Sequence, residues 1–167
     1  MDTKSKMTPE EVVLKFLDAH NKNDLDGAMA CLADDFVGLG ESPKWVPMSK
    51  ENYRDMWERF GVAFPDFKRE PICMAVSGDT VGVEVIETGT FMAPWAWQGK
   101  TLLPTGKGYR AQICVFFRVN EDGLIENSEE EGTGISNRAR CSEDASDRRS
   151  FWAQFSVRRT ARLGTGG

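Results

Sequence analysis

The sequence predicts an α+β fold, with three amphipathic helices first and a run of antiparallel strands after them. Two observations carry this reading. Apolar residues recur at intervals of three and four up to residue 64, then alternate at intervals of two. Gly78-Asp79 and Asn120-Glu121-Asp122-Gly123 separate the alternating segments as hairpin turns do. At 167 residues, the chain is long enough for one domain with its own core.

The elements follow in order. Thr8-Pro9-Glu10-Glu11 is a helix start: the threonine caps, the proline suits the first turn and Glu11 closes a capping box. Val12, Val13, Phe16, Leu17 and His20 then share one stripe. The helix stops across residues 21–24. Asp24 caps a second short helix over 25–32, with Leu25, Met29 and Leu32 inward. A short strand over 36–39 leads into a loop containing Pro43 and Pro47. Ser49 caps a third helix, whose stripe is Tyr53, Met56, Trp57, Phe60 and Phe64 and which ends before Pro65. Strands are expected over 67–76, 80–91, 109–119 and from 124 onward, with residues 93–108 as one long connection. Aromatic residues on both layers leave room for an apolar pocket under a curved sheet.

Composition narrows the function. Charged residues make up 28% and hydrophobic ones 40%, ordinary for a soluble globular protein. No run reaches the roughly 18 apolar residues of a membrane helix, so no membrane partner is expected. The net charge of −5 argues against nucleic acid as a partner. No apolar run follows the N-terminal lysines, so no secretory signal is expected there, and Cys31 and Cys114, inside apolar runs, read as buried thiols of a protein expected in the reducing cytoplasm. Cys31, Cys73, Cys114 and Cys141 form no CxxC pair and His20 is the single histidine, so no metal site is expected. No phosphate loop or nucleophile elbow is present, and no cofactor is expected. Residues 1–137 hold 14 basic and 23 acidic residues, whereas residues 138–167 hold seven arginines, no lysine and three acids. The expected organisation is one domain over 1–137 and an arginine- and serine-rich tail over 138–167 that is not an independent domain.

Five segments, FLDAHNKNDLDGAMACLADDFV, AFPDF, SGDTVGVEVIETGTF, LLPTGKGY and FFRVNEDGLI, resemble in order the SnoaL-like polyketide cyclases over residues 9–126. These belong to the nuclear transport factor 2-like superfamily, with ketosteroid isomerases and limonene epoxide hydrolases. The resemblance implies a cone-shaped α+β barrel: three N-terminal helices packed in a strongly curved, mainly antiparallel sheet, with a ligand cavity in the cone. It also implies a homodimer through the convex face of the sheet. It does not fix a reaction. Cofactor-independent acid–base chemistry of the cyclase, isomerase or epoxide-hydrolase kind stands beside non-catalytic binding or transport of a hydrophobic small molecule.

Proton chemistry in such a cavity needs a group whose proton affinity its surroundings adjust. In the relatives the last strand carries a motif like E-x-x-x-Y-W-D, with the aspartate as general acid/base. Counted from Gly123-Leu124-Ile125, that aspartate falls near Thr133, where this chain has no acid. Alternation from an inward Ile125 turns Asn127, Glu129, Glu131 and Thr133 inward, which makes Glu131 the substitute acid. The plainer reading of residues 129–131 is a charged, solvated segment, because three adjacent carboxylates repel one another and suit a strand poorly. Glu87 shares a face with Val83, Val85 and Phe91 and is either a buried acid or a rim residue. His20 is either a packed core residue or a proton carrier. The isomerase branch places its acid at Gly40, next to Glu41. The expected substrate-binding wall is Phe16, Tyr53, Trp57, Phe91, Trp95 and Phe116, each of which also fits plain core packing.

The acidic stretch has a second reading. Codons for residues 129–135, read from their third bases, can spell Arg-Arg-Arg-Tyr-Trp-Asp. A change of reading frame near residue 126 would account for both the missing motif and the arginine-rich tail. The alternative is coincidence, and the gene's bases at those codons decide between them.

Overall fold

The computed structural model of the protein describes residues 6–39, 47–97, 100–132 and 156–158. Helix α1 spans Pro9–Asn21 and begins with the expected capping box: Thr8 accepts from the Glu11 N–H and the Glu11 carboxylate accepts from the Thr8 N–H. Its buried stripe is Val12, Val13, Phe16, Leu17 and His20, joined by Ala19. Helix α2 spans only Leu25–Met29, capped by Asp24. Strand β1 spans Leu32–Leu39 and starts four residues earlier than the sequence suggests. Leu32 is already in register with Ile125, so sheet pairing captures the end of the expected second helix.

After the two-residue strand β2 (Met48–Ser49), Ser49 caps helix α3 (Lys50–Ala63), which buries Tyr53 and Trp57. Strands β3 (Lys68–Ser77), β4 (Thr80–Thr90), β7 (Gly108–Val119) and β8 (Ile125–Gly132) form the centre of the sheet. The connection expected over 93–108 contains a small hairpin of β5 (Trp95–Trp97) and β6 (Lys100–Leu102). Strand β9 is Ser156–Arg158. Gly78 and Gly123 take positive φ values of 60° and 79° at the two hairpin turns, the reason glycine stands at each.

The seven-stranded sheet has the order β2-β1-β8-β7-β4-β3-β9, and all of its pairs are antiparallel except β1 with β8. It curves around α1 and α3 to make a cone-shaped α+β barrel. The core joins Val13, Phe16 and Leu17 of α1 to Val81, Val83 and Val85 of β4, Val115 and Phe117 of β7, and Ile125 of β8. Tyr53 fills the space toward Phe36 of β1. Among the described residues, no helix is long and apolar enough to cross a membrane.

Two of the sheet's register shifts decide which side chains of β3 and β8 enter the cone. In β3 the register with β4 shifts between Pro71 and Cys73. In β8 it shifts at Glu126, because Val119 faces Ile125 while Arg118 faces Asn127. Each bulge adds one residue and reverses the inward and outward alternation beyond it.

Candidate functional site

The shift in β8 corrects the expected parity of the acidic stretch. Phe117 is opposite Ser128 and Val115 is opposite Glu130, so Ser128 and Glu130 share the inner face with those core residues. Asn127 and Glu129 do not. The backbone of Glu131 pairs opposite Cys114, and its side chain lies outside the described residues. Thr133 and Glu41 also lie outside them.

The shift in β3 has a parallel effect. Counted back from the Gly78-Asp79 turn, Glu87 would face Glu70; after the bulge it faces Arg69. Both are buried, Arg69 at 3% exposure and Glu87 at 7%. The Arg69 Nε donates to Glu87 Oε2 at 2.9 Å, and an Arg69 terminal nitrogen donates to Glu130 Oε2 at 2.9 Å. The Tyr109 hydroxyl donates to the other Glu87 oxygen at 2.7 Å. Glu130 Oε1 has no hydrogen bond among the described residues.

The surroundings position this group. Asn21, the last residue of α1, takes both backbone groups of Arg69: its Nδ2 donates to the carbonyl at 2.8 Å and its Oδ1 accepts from the N–H at 2.7 Å. The guanidinium carbon lies 4.8 Å from the centroid of the Trp57 ring and 5.6 Å from that of Phe67, a cation on two aromatic faces. Gly89 sits opposite Tyr109, and a Cβ there would stand 3.0 Å from the Tyr109 ring. The missing side chain therefore gives the phenol its place beside Glu87. Burial first, then the charge and hydrogen bond of Glu87, hold the Tyr109 phenol well above its ordinary pKa. It stays a donor throughout the working pH range.

His20 stands beside this network, its ring edge-on to Phe16 at 4.6 Å and to Trp57 at 4.5 Å. Burial and the nearby Arg69 cation push its pKa down to about 3, so the imidazole is neutral near pH 7. Its Nε2 and the Trp57 Nε1 are buried without a hydrogen-bond partner among the described residues.

The expected aromatic wall divides. Phe16 and Tyr53 are fully buried and belong to the packed interior. Trp57 lies between the Arg69 network and a cleft lined also by His20, Phe60 and Phe67. Phe91 stacks on Phe64 at 5.2 Å, and Trp95 meets Phe60 and Phe64 edge-on at 5.4 and 5.7 Å, both rings being half-buried at the end of the sheet. Phe116 is a correction: β7 buries Val115 and Phe117 inward, and strand alternation puts Phe116 on the opposite face. Sequence reasoning missed Arg69, Tyr109 and Glu130. Pro71 was the available signal for Arg69, since proline inside a strand marks an edge or a bulge.

A curved sheet with a polar cluster on its inner face, covered by aromatic helices, defines a cone-fold protein of the nuclear transport factor 2-like class. The SnoaL-like domain family matches residues 13–127, more than half of the chain, and the protein belongs to that family. The match ends one residue beyond position 126, while β8 runs on to Gly132. Three solved structures illustrate the likeness. IdmH from Streptomyces antibioticus, a proposed polyketide cyclase, is 21% identical, with 77% of this chain and 94% of that one covered and a TM-score of 0.64. A SnoaL-like polyketide cyclase from Agrobacterium tumefaciens is 18% identical, with 75% and 91% covered and a TM-score of 0.60. A ketosteroid isomerase-like protein from Catenulispora acidiphila, solved with trimethylamine, is 13% identical, with 74% and 86% covered and a TM-score of 0.59. At these identities the likeness is one of fold. No curated protein is similar enough in sequence to match the chain.

Proposed function

We propose that the protein binds a largely apolar small molecule where Arg69, Glu87, Tyr109 and Glu130 meet, and moves a proton on it without a cofactor. The chemistry is of the cyclase, isomerase or epoxide-hydrolase kind. The observation that supports it is a guanidinium shared by two inward carboxylates, one of which keeps an oxygen without a partner among the described residues. Glu130 is the proton acceptor in this reading and takes the role expected of Glu131. Glu87 is held at both oxygens and orients Arg69 and Tyr109. Tyr109 donates a hydrogen bond to developing negative charge. His20, with a pKa near 3, polarises the ligand by hydrogen bonding and is too weak a base to carry the proton itself. The protein acts in the cytoplasm as a homodimer through the convex face of the sheet.

One observation favours a carrier instead: both carboxylates are already ion-paired, so the network can be satisfied without turnover. A panel of polyketide-like esters and epoxides separates the two, scored for product by mass spectrometry and for binding by thermal shift. In the enzyme reading, Glu130→Gln lowers kcat by roughly 100-fold or more while ligand stabilisation persists. Glu131→Gln leaves the rate near wild type. Stabilisation without product from the wild-type protein supports the carrier, and neither signal sinks the small-molecule reading.

A further inference from the structure

Between β4 and β7 the chain leaves the main sheet and returns to it. Phe91 and residues 106–107 close the base of this excursion: the Phe91 N–H donates to the Lys107 carbonyl at 3.1 Å, and the Gly106 N–H donates to the Phe91 carbonyl at 2.9 Å. Gly106 takes a φ of 65° there, a conformation that favours glycine. The excursion lies against the end of α3. Met92 donates its N–H to the Ala63 carbonyl at 2.8 Å, and Trp95 packs edge-on to Phe60 and Phe64. Leu102 is paired with Trp95 across the β5–β6 hairpin. What remains outside is apolar. Leu103 is 72% exposed, Met92 56% and Leu102 40%, and Val62, next to Ala63 in α3, is 66% exposed. Large apolar side chains this exposed, grouped in one region, mark an interaction surface.

The charge around this surface is one-sided. The chain carries 26 acidic residues, yet none from Thr88 to Asn120. Lys100, Lys107 and Arg110 are exposed, and none of the three is in an ion pair among the described residues. Asp66 is the exposed acid at the base of the excursion, and Thr90 engages both its oxygens, through its N–H and its hydroxyl, at 2.6 Å. We propose that the excursion docks the protein on the surface of an anionic lipid bilayer, with Met92, Leu102 and Leu103 entering between the headgroups and the three cations meeting the lipids' anionic groups. Apolar side chains flanked by cations are what an interfacial anchor presents. A protruding leucine needs no preformed socket in a fluid layer, whereas a protein partner must supply one. Among the described residues no helix is long and apolar enough to cross a membrane, and a surface contact needs none. Tyr109, hydrogen-bonded to Glu87, follows the base of the excursion, so docking sets the polar end of the cone beside a layer in which apolar molecules dissolve. The docking itself does not depend on the small-molecule reading.

Co-sedimentation of the full chain with vesicles tests this. The wild-type protein should partition onto vesicles of phosphatidylcholine and phosphatidylserine in equal parts, and much less onto phosphatidylcholine alone. Lys100→Gln with Lys107→Gln should weaken binding to the anionic vesicles roughly 30-fold, about fivefold for each cation. Leu102→Ser with Leu103→Ser should weaken it by about tenfold or more. All of these positions are exposed, so both double variants should keep the wild-type urea midpoint. No binding to either vesicle overturns the proposal. So does equal binding to the two, or binding that either double variant retains in full, which assigns the contact to another segment such as the arginine-rich residues 138–167. A dimer that Leu102→Ser with Leu103→Ser dissociates, without vesicle binding, overturns it in favour of a contact between copies. Each overturning result leaves the small-molecule reading standing, because that reading rests on Arg69, Glu87, Tyr109 and Glu130.

Discussion

Followed along β4, the inner face of the sheet runs Val81, Val83, Val85 and then Glu87; along β8 it runs Ile125, Ser128 and Glu130. Along β7 it runs Phe117, Val115 and Ile113, then Ala111 and Tyr109. At one end the positions are apolar and closed by α1. At the other they carry an arginine, two carboxylates and a phenol, against the aromatic side of α3. The same strands therefore supply a packed end that holds the fold and a polar end with no comparable role in packing. Buried polar clusters of this kind are weak stabilisers when complete and strongly destabilising when broken.

Breaking each end should separate them. Phe117→Ala empties part of the packed end and should lower stability by about 3–5 kcal/mol in urea denaturation, with ligand binding unchanged below the transition. Arg69→Met leaves Glu87 and Glu130 facing each other without their cation and should cost a similar 3–5 kcal/mol. The sharper test is the triple variant Arg69→Met, Glu87→Leu, Glu130→Leu. It should recover to within about 2 kcal/mol of wild type while losing activity or binding. A triple variant as unstable as Arg69→Met alone would mean that the polar end holds the fold after all.

Gly89→Ala is gentler. The added methyl meets the Tyr109 ring at 3.0 Å and should cost about 1–3 kcal/mol, with the phenol displaced from Glu87 in a crystal structure. The pH dependence follows from His20. Its folded-state pKa of about 3 lies below the ordinary histidine value of 6.5, so the unfolded chain takes up the proton first as pH falls. The stability from a neutral His20 is complete above about pH 6.5 and is lost as pH drops toward 3, at no more than about 1.4 kcal/mol per pH unit. His20→Gln should remove that component, read as the difference between wild-type and variant urea midpoints across this window. The smallest effect belongs to neither end: Thr8→Ala opens the capping box of α1 and should cost about 1 kcal/mol, leaving ligand binding untouched.

The helices were legible because their signals are local. Thr8 and Ser49 cap where expected, and the stripes of α1 and α3 face the sheet. The polar end was only half legible, because its parity depends on two inserted residues. Glu87 could be placed by alternation within β4, which is regular. Arg69 and Glu130 could not, since each lies beyond a bulge that reverses the count. Glu131 was nominated for the inward place that Glu130 takes. Phe116 was expected in the wall, whereas β7 turns its neighbour Phe117 inward, a difference only of which face the strand presents. The hairpin of β5 and β6 was hidden in a segment rich in proline and glycine, where turn residues mask short pairings.

Ser156–Arg158 lies antiparallel along Met74, Ala75 and Val76, on the flank of β3 away from β4. Residues 156–158 thus lie along the molecule's own selvage, on a strand flank that could otherwise pair with another polypeptide. Cut before residue 156, the protein would bare that margin and turn a capped ribbon into a self-templating one, seen as concentration-dependent growth in light scattering.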